Sequence, residues 1–138
     1  MTATSELLAL GDEAFVSLTT FRKSGVPVST PVWIARDGDA LIVTTPTESG
    51  KVKRLRNDTR VELRPCSRMG KPTDDSGPVS AVASITGDAP SINRLTALFR
   101  KKYGLEYYIV MVVEAIAAKR RKPRVILRIV PTQVGPTE

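Results

Sequence analysis

The sequence predicts an α+β fold: a sheet of antiparallel hairpins curled into a closed or split barrel, with helices clustered late in the chain. Three observations carry this expectation. Short runs of β-branched and aromatic residues alternate with Gly and Asp turn signals through the first half, which is the pattern of hairpins. The longer helical periodicities come after residue 90, so strands and helices are largely segregated along the chain. With 138 residues, 41% hydrophobic and 25% charged, the chain has the size of one domain (1–138) and enough apolar material for a core. Closing the sheet also removes exposed edges.

Thr4 or Ser5 is placed to cap a short helix through Leu7, Leu8 and Leu10, with Gly11 as its stop. Ala14 to Phe21 is rich in strand formers. Ser24 and Gly25 form a turn, and Val26 to Ala35 reads as a second strand. Its Pro27 and Pro31 have no N–H for a ladder and so point to an edge or a bulge. Asp37-Gly38 is a strong hairpin signal and Leu41 to Thr45 returns as the third strand, so the first third reads as an antiparallel meander. Thr47 to Asn57 is polar and basic around Val52 and Leu55, which suits a short helix lying on a sheet.

Arg60 to Arg64 alternates polar and apolar, a strand with one face buried. Ser67 to Gly77 is loop, and Val79 to Thr86 is a strand ended by Gly87. Ser91 can cap a helix on which Ile92, Leu95, Leu98, Phe99 and Tyr103 share a face. Gly104 ends it, and Arg100, Lys101 and Lys102 sit where the helix dipole favours cations. Glu106 to Ala118 is rich in β-branched residues, yet Ile109, Val112, Val113, Ile116 and Ala117 recur at helical spacing, so a helix is expected, closed by Lys119 to Lys122 and Pro123. Arg124 to Val130 is the last strand. The sum is about six strands and three or four helices.

Composition excludes several chemistries. The chain has no histidine, which removes Ser-His-Asp and Cys-His catalysis and every His-containing metal site. One cysteine, Cys66, allows neither an intrachain disulfide nor a cysteine-cluster metal site. An enzyme without imidazole would take its reactivity from a cofactor. No catalytic residue and no metal ligand is assigned. The net charge of +7 attracts anions, with nucleic acid the first class to consider and phosphorylated cofactors the second. No apolar run is long enough to span a bilayer, and the first residues lack the basic flank and apolar run of a signal peptide, so a soluble, cytoplasmic protein is expected.

The densest candidate site is Thr44 to Arg54. A strand ends in hydroxyl residues, a turn follows, and a helix starts with Lys51 in its first turn. Hydroxyls, free backbone N–H groups, the helix dipole and a cation converge there, as they do where a phosphate is held at a helix N-terminus. The same composition also describes an ordinary capped strand-to-helix loop, and there is no Walker or dinucleotide glycine motif. The basic stretch Lys51 to Lys71 suits polyphosphate, nucleic acid or an acidic tail, or is simply a solvated face. No aromatic residue interleaves with it, which argues against nucleic-acid bases stacking there. The run Lys119 to Arg124 reads as cations ending a helix. Trp33 either stacks on a planar ligand or anchors a core or dimer interface. Cys66 reads as a small hydrophobe whose pKa would fall if Arg64 and Arg68 lie close.

Taken together, Thr30-Pro-Val-Trp33, the Asp37-Gly38 hairpin, Leu41 to Thr45, Ser49-Gly-Lys51, Leu55-Arg-Asn57 and Arg60-Val61 make a familiar order. The chain resembles the split β-barrel proteins of the pyridoxamine 5′-phosphate oxidase-like superfamily. Within it, the chain is most similar to the small actinobacterial flavin/deazaflavin oxidoreductases that use coenzyme F420. The resemblance covers nearly the whole chain, including Ile85 to Ala89 and Arg124 to Arg128, and the Ser-x-Lys, Leu-x-Asn, Arg-Val spacing is its most specific part. It implies a split-barrel homodimer with two cofactor sites at the interface. It implies that Thr45, Ser49, Gly50 and Lys51, with Thr44 beside them, hold the cofactor phosphate. Lys53 and Arg54 would suit an acidic polyglutamate tail, and Thr30, Pro31, Val32 and Trp33 would run along the ring.

Two departures stand out. Asp58-Thr59 replaces a proline that commonly follows the asparagine, which loosens the helix-to-strand corner. The basic segments that bind flavin phosphate in the vitamin oxidases have no match near Val26 to Trp33, which favours the deazaflavin over FMN and pyridoxal phosphate. The expectation is an F420-dependent reductase that passes a hydride between F420 and a small organic substrate. An FMN-binding oxidoreductase of the same fold is the alternative. A non-enzymatic cofactor carrier or a basic nucleic-acid-binding module is the second.

Overall fold

The structure, a computed structural model, describes residues 3–119 and 123–132. Helix α1 (Ala3–Ala9) runs into a 3-10 turn, Leu10–Asp12. The helix therefore starts ahead of the Thr4 and Ser5 caps. Gly11 lies inside the turn, where an added Cβ would come within 3.1 Å of Arg36 Cβ and Leu41 Cδ2. A close approach to the barrel wall, rather than a helix stop, requires this glycine.

Among the described residues seven strands follow, one more than the sequence suggests: β1 (Val16–Phe21), β2 (Pro27–Val32), β3 (Ala35–Asp37), β4 (Ala40–Pro46), β5 (Arg60–Pro65), β6 (Val79–Thr86) and β7 (Arg124–Pro131). Their order in one sheet is β2-β1-β5-β6-β7-β4-β3, and every pairing is antiparallel. The expected strand Val26 to Ala35 is thus two strands, and the expected meander is corrected. β1–β2 and β3–β4 are hairpins, but β2 and β3 form opposite edges of the sheet. The prolines of β2 have no N–H for a second neighbour, which suits an edge. Only Trp33 and Ile34 connect the two edges. At 3.8 Å per Cα step, so short a link keeps the edges close, and the sheet must curl into a half-barrel.

The barrel interior holds Leu18, Ile34, Leu41, Val43, Leu63 and Leu127, all fully buried. Helix α2 (Gly50–Asn57) adds Val52 and Leu55 to that interior. The corner after it is tied by Asp58, whose carboxylate accepts from the Arg60 amide and guanidinium, the latter at 2.7 Å from Nη2. These bonds, the guanidinium's first, hold the Asp58 carboxyl below the usual carboxylate range. The missing proline therefore does not leave the corner loose. The segment after β5 folds back as a tight hairpin, with Gly70 at φ 90 and an isolated bridge between Cys66 and Pro72.

A second apolar cluster lies on the outer face of the sheet. Trp33, Ile42 and Ile126 meet Leu95 and Phe99 of helix α3 (Ala89–Tyr103) there. Asp88, not Ser91, is the α3 N-cap: its carboxylate accepts from the Ser91 amide at 3.1 Å. Pro90 sits in the first turn, where a missing N–H is tolerated. Gly104, at φ 56, separates α3 from α4 (Leu105–Ala118). Two residues at the end of α3 fasten it to the barrel. The Lys102 ammonium donates to the carbonyls of Gly11, Glu13 and Ile34 at 2.6–2.8 Å. The Tyr103 hydroxyl accepts from the Ile34 amide at 2.9 Å and lies 2.8 Å from the Ala14 carbonyl.

α4 departs from an ordinary amphipathic helix. It buries no residue fully, and its apolar stripe of Leu105, Tyr108, Ile109, Val112, Val113 and Ile116 faces outward, each more than half exposed. Lys119 is its left-handed C-cap at φ 58, while the rest of the basic run, 120–122, lies outside the described residues. Among the described residues, no helix is long and apolar enough to cross a membrane.

Candidate functional site

The strand-to-helix loop that stood out in the sequence folds into a hydroxyl-lined helix entrance. β4 ends at Pro46, and the Ser49 amide donates to the Pro46 carbonyl at 3.0 Å, which closes the turn. Ser49 caps α2: its Oγ accepts from the Val52 amide at 3.4 Å and from the Thr45 hydroxyl at 3.1 Å. With both bonds accepted, the Ser49 proton remains to be donated. The amides of Gly50 and Lys51, at the first two positions of the helix, have no intrahelical acceptor.

Beside this entrance lies a groove of about 280 Å³ on the outer face of the barrel. Pro31, Val32 and Trp33, at the crossing between the two sheet edges, form one wall. Thr44, Thr45 and Pro46 at the end of β4 form another, with Lys51 above them. Phe15 and Arg68 line it from the segments flanking β1 and following β5, Val110 and Met111 from α4, and Arg124 from β7. Six of the residues expected from the sequence therefore meet here: Pro31, Val32, Trp33, Thr44, Thr45 and Lys51. Ser49 is one hydrogen bond behind them, and Gly50 opens the helix.

The other three do not line the groove. Thr30 turns toward the barrel interior, where its Oγ1 is buried without a partner. Lys53 is exposed. Arg54 is drawn to β1, its Nε donating to Thr20 Oγ1 at 2.6 Å. Trp33 is a core aromatic, stacked on Tyr103 with ring centroids 4.5 Å apart, and one side of it lines the groove.

Sequence reasoning missed Phe15, Val110 and Met111 and gave Arg124 no part in the site, while Pro46 and Arg68 fell within its two candidate stretches without being singled out. Arg124 is the most consequential. Its Nε donates to Thr44 Oγ1 at 3.0 Å, its Nη2 to the Thr44 carbonyl at 3.2 Å, and its Nη1 to Glu114 at 2.6 Å. It ties β4, β7 and α4 together from the first position of β7. Pairing of Thr44 with Ile126 in the sheet is what brings Arg124 there, and no local signal announces it. Arg68 is held by Glu106 at 2.9 Å and lies over the Phe15 ring at 4.8 Å. It therefore does not activate Cys66. Burial pushes that thiol up, as suits the small buried hydrophobe expected from the sequence, and the two arginines do not lower it.

The groove is electropositive. Lys51 is half-buried, and among the described residues no carboxylate pairs with it. Burial, with added repulsion from Arg54 and Arg124, lowers its pKa from the ordinary 10.5. An incoming anion would offset the repulsion and compensate the buried charge. The donor set of a lysine, a free hydroxyl proton and two helix-terminal amides fits a phosphate group, and the neighbouring Trp33, Phe15, Val110 and Met111 fit a flat apolar body.

Comparison with known proteins agrees with this fold. The pyridoxamine 5′-phosphate oxidase family matches residues 3–138. No curated protein sequence matches the chain. Among solved structures, a conserved hypothetical protein of Mycobacterium tuberculosis is 23% identical with a TM-score of 0.68, over 96% of this chain and 82% of that one. An F420 reductase is 20% identical with a TM-score of 0.57, over 94% and 93%. The heme storage protein HutZ of Vibrio cholerae is 14% identical with a TM-score of 0.65, over 97% and 93%. At these identities the solved structures establish a shared fold.

Proposed function

The chain belongs to the pyridoxamine 5′-phosphate oxidase family, and on that premise we propose that it is an oxidoreductase that binds coenzyme F420 in the groove beside α2. The observation that carries the reading is Lys51: a half-buried ammonium without a carboxylate partner among the described residues, at a helix N-terminus, facing a groove walled by Trp33. When bound, the deazaflavin ring supplies the hydride donor or acceptor, so the absence of histidine is no obstacle. The protein's own part is to bind, orient and exclude water. Lys51, Ser49 and the α2 amides hold the phosphate, while Thr45 fixes the Ser49 rotamer. Trp33, Val110 and Met111 exclude water from the ring. Arg124, braced by Glu114, keeps α4 and the end of β4 in register. Lys53 is free to meet an acidic tail.

FMN is the runner-up, because the same entrance suits its phosphate. β2 offers that phosphate no cation between Pro27 and Val32, which favours the deazaflavin. A heme carrier is disfavoured by the lack of any histidine to ligate iron. Titration of the purified protein with F420 and FMN, followed by fluorescence polarisation, tests the assignment. F420 is expected to bind at least about tenfold tighter, a difference of about 1.4 kcal/mol. The opposite order assigns FMN, and binding of neither removes the oxidoreductase reading.

The outward stripe on α4 supports a homodimer. Its six large side chains expose an apolar patch on the order of several hundred Å², the size that marks an interface on a soluble protein. Light scattering is expected to give twice the chain mass for the wild type and a single chain mass for Ile116→Asp. A monomeric wild type at micromolar concentration would refute this assembly.

A further inference from the structure

A second groove, of about 540 Å³, runs along another flank of α4. Tyr107, Tyr108, Met111 and Ala115 line it from the helix, Arg100 from α3 and Arg124 from β7. It shares Met111 and Arg124 with the first groove, so the two cavities adjoin across these side chains. Apart from these two shared residues, nothing in the coenzyme assignment uses it. Its volume lies in the range of small-molecule sites.

Three features define what fits. The Tyr107 and Tyr108 rings meet edge to face, with centroids 5.4 Å apart and an interplanar angle of 88°, so they offer a ring face and a ring edge to a flat aromatic body. Met111 and Ala115 continue that surface without charge. The charged groups are unequal. Glu114 and Arg124 satisfy each other at 2.6 Å, with side chains only 25% and 18% exposed. Arg100 stands at the rim, exposed, and among the described residues no carboxylate pairs with it. Among the described residues, the one uncompensated charge lining this groove is therefore positive.

We propose that this groove is a second binding site, for a planar apolar molecule carrying one anionic group such as a carboxylate. The aromatic corner takes the ring system and Arg100 takes the anion. Its role as the site of the hydride-exchanging substrate rests on the oxidoreductase reading above, while its ligand class does not. The outward stripe adjoins the groove at Tyr108, Val112 and Ile116, so a partner copy seated on that stripe would form an outer wall.

The test compares 1-pyrenecarboxylate with its uncharged isostere 1-pyrenecarboxamide by fluorescence anisotropy, with and without saturating F420. The acid is expected to bind roughly three- to tenfold tighter than the amide, the gain of one rim charge–charge contact. Arg100→Gln, at an exposed position, is expected to erase that preference and leave the amide's affinity unchanged. F420 is expected to leave both probes bound, because the two ligands occupy adjoining and not overlapping cavities, while the shared Met111 and Arg124 let it change both affinities. Equal binding of acid and amide, a preference that survives Arg100→Gln, or displacement of the probe by F420 would overturn the proposal. An Arg100-dependent preference in a protein that ignores F420 keeps the site and removes only its role in hydride exchange. F420 binding without that preference removes the site and leaves the coenzyme assignment standing.

Discussion

Trp33→Ala is expected to lower stability by about 3–5 kcal/mol, the cost of emptying a buried tryptophan site. For a chain of this length the melting temperature should fall by roughly 10–20 °C. Trp33 is 9% exposed and belongs to the apolar cluster between the sheet and α3. Its ring stacks on Tyr103 at 4.5 Å and on Tyr107 at 6.1 Å, so truncation strips a partner from both α3 and α4. It also sits in the two-residue crossing that keeps the sheet edges together, next to Ile34, whose amide donates to the Tyr103 hydroxyl. Burial pushes that phenol up to about 12, so it stays protonated, both donor and acceptor, across the physiological range. Trp33→Phe keeps a ring against Tyr103 and should retain most of the stability. Because Trp33 is the only tryptophan, unfolding of the variants is best followed by circular dichroism. A loss below about 1 kcal/mol for the alanine variant would show that the cluster closes over the gap, and would refute its role as the anchor of the crossing.

What the sequence disclosed divides along the range of the forces involved. The entrance to α2 was legible because Thr45, Ser49 and Lys51 lie within seven residues and the Thr45 and Ser49 hydroxyls meet in a local hydrogen bond. Hairpins at Gly25 and Gly38 were legible because each glycine adopts positive φ in a short turn. The order of strands was not, because Val26 to Ala35 reads as one run of strand formers although the chain leaves one sheet edge and joins the other at Trp33. Arg124 was not, because it reaches Thr44 across 80 residues through β4–β7 pairing. The periodicity of Ile109, Val112, Val113 and Ile116 gave a helix correctly, but periodicity carries no direction, and the stripe faces outward. At α3 the sequence suggested Ser91 as the cap. Asp88 prevails because its carboxylate is in reach of the Ser91 amide, which leaves Ser91 inside the first turn.

Lys51→Ala is expected to weaken F420 binding by about 1.5–3 kcal/mol, roughly 10- to 150-fold, the value of a charge-assisted hydrogen bond in a partly buried site. The same substitution should not destabilise the ligand-free protein, and the sign follows from the pKa. Burial first, then Arg54 and Arg124, lowers the Lys51 pKa in the folded state below the ordinary 10.5. The protonated side chain is therefore penalised on folding at neutral pH. That penalty fades as pH rises through the lowered value toward 10.5, and alanine removes it at every pH. A residue that opposes folding while empty and favours a bound anion is placed for binding. Bound phosphate reverses the shift, so F420 affinity should fall as pH rises through the free-protein pKa, by up to about tenfold per unit. Lys51→Arg should flatten that fall, because a guanidinium stays charged throughout. Calorimetric titration of the wild type, Lys51→Ala and Lys51→Arg between neutral and alkaline pH, beside thermal unfolding of each, separates the outcomes. Unchanged affinity in Lys51→Ala would remove Lys51 from the site. Lost affinity accompanied by an equal loss of stability would make it a structural residue.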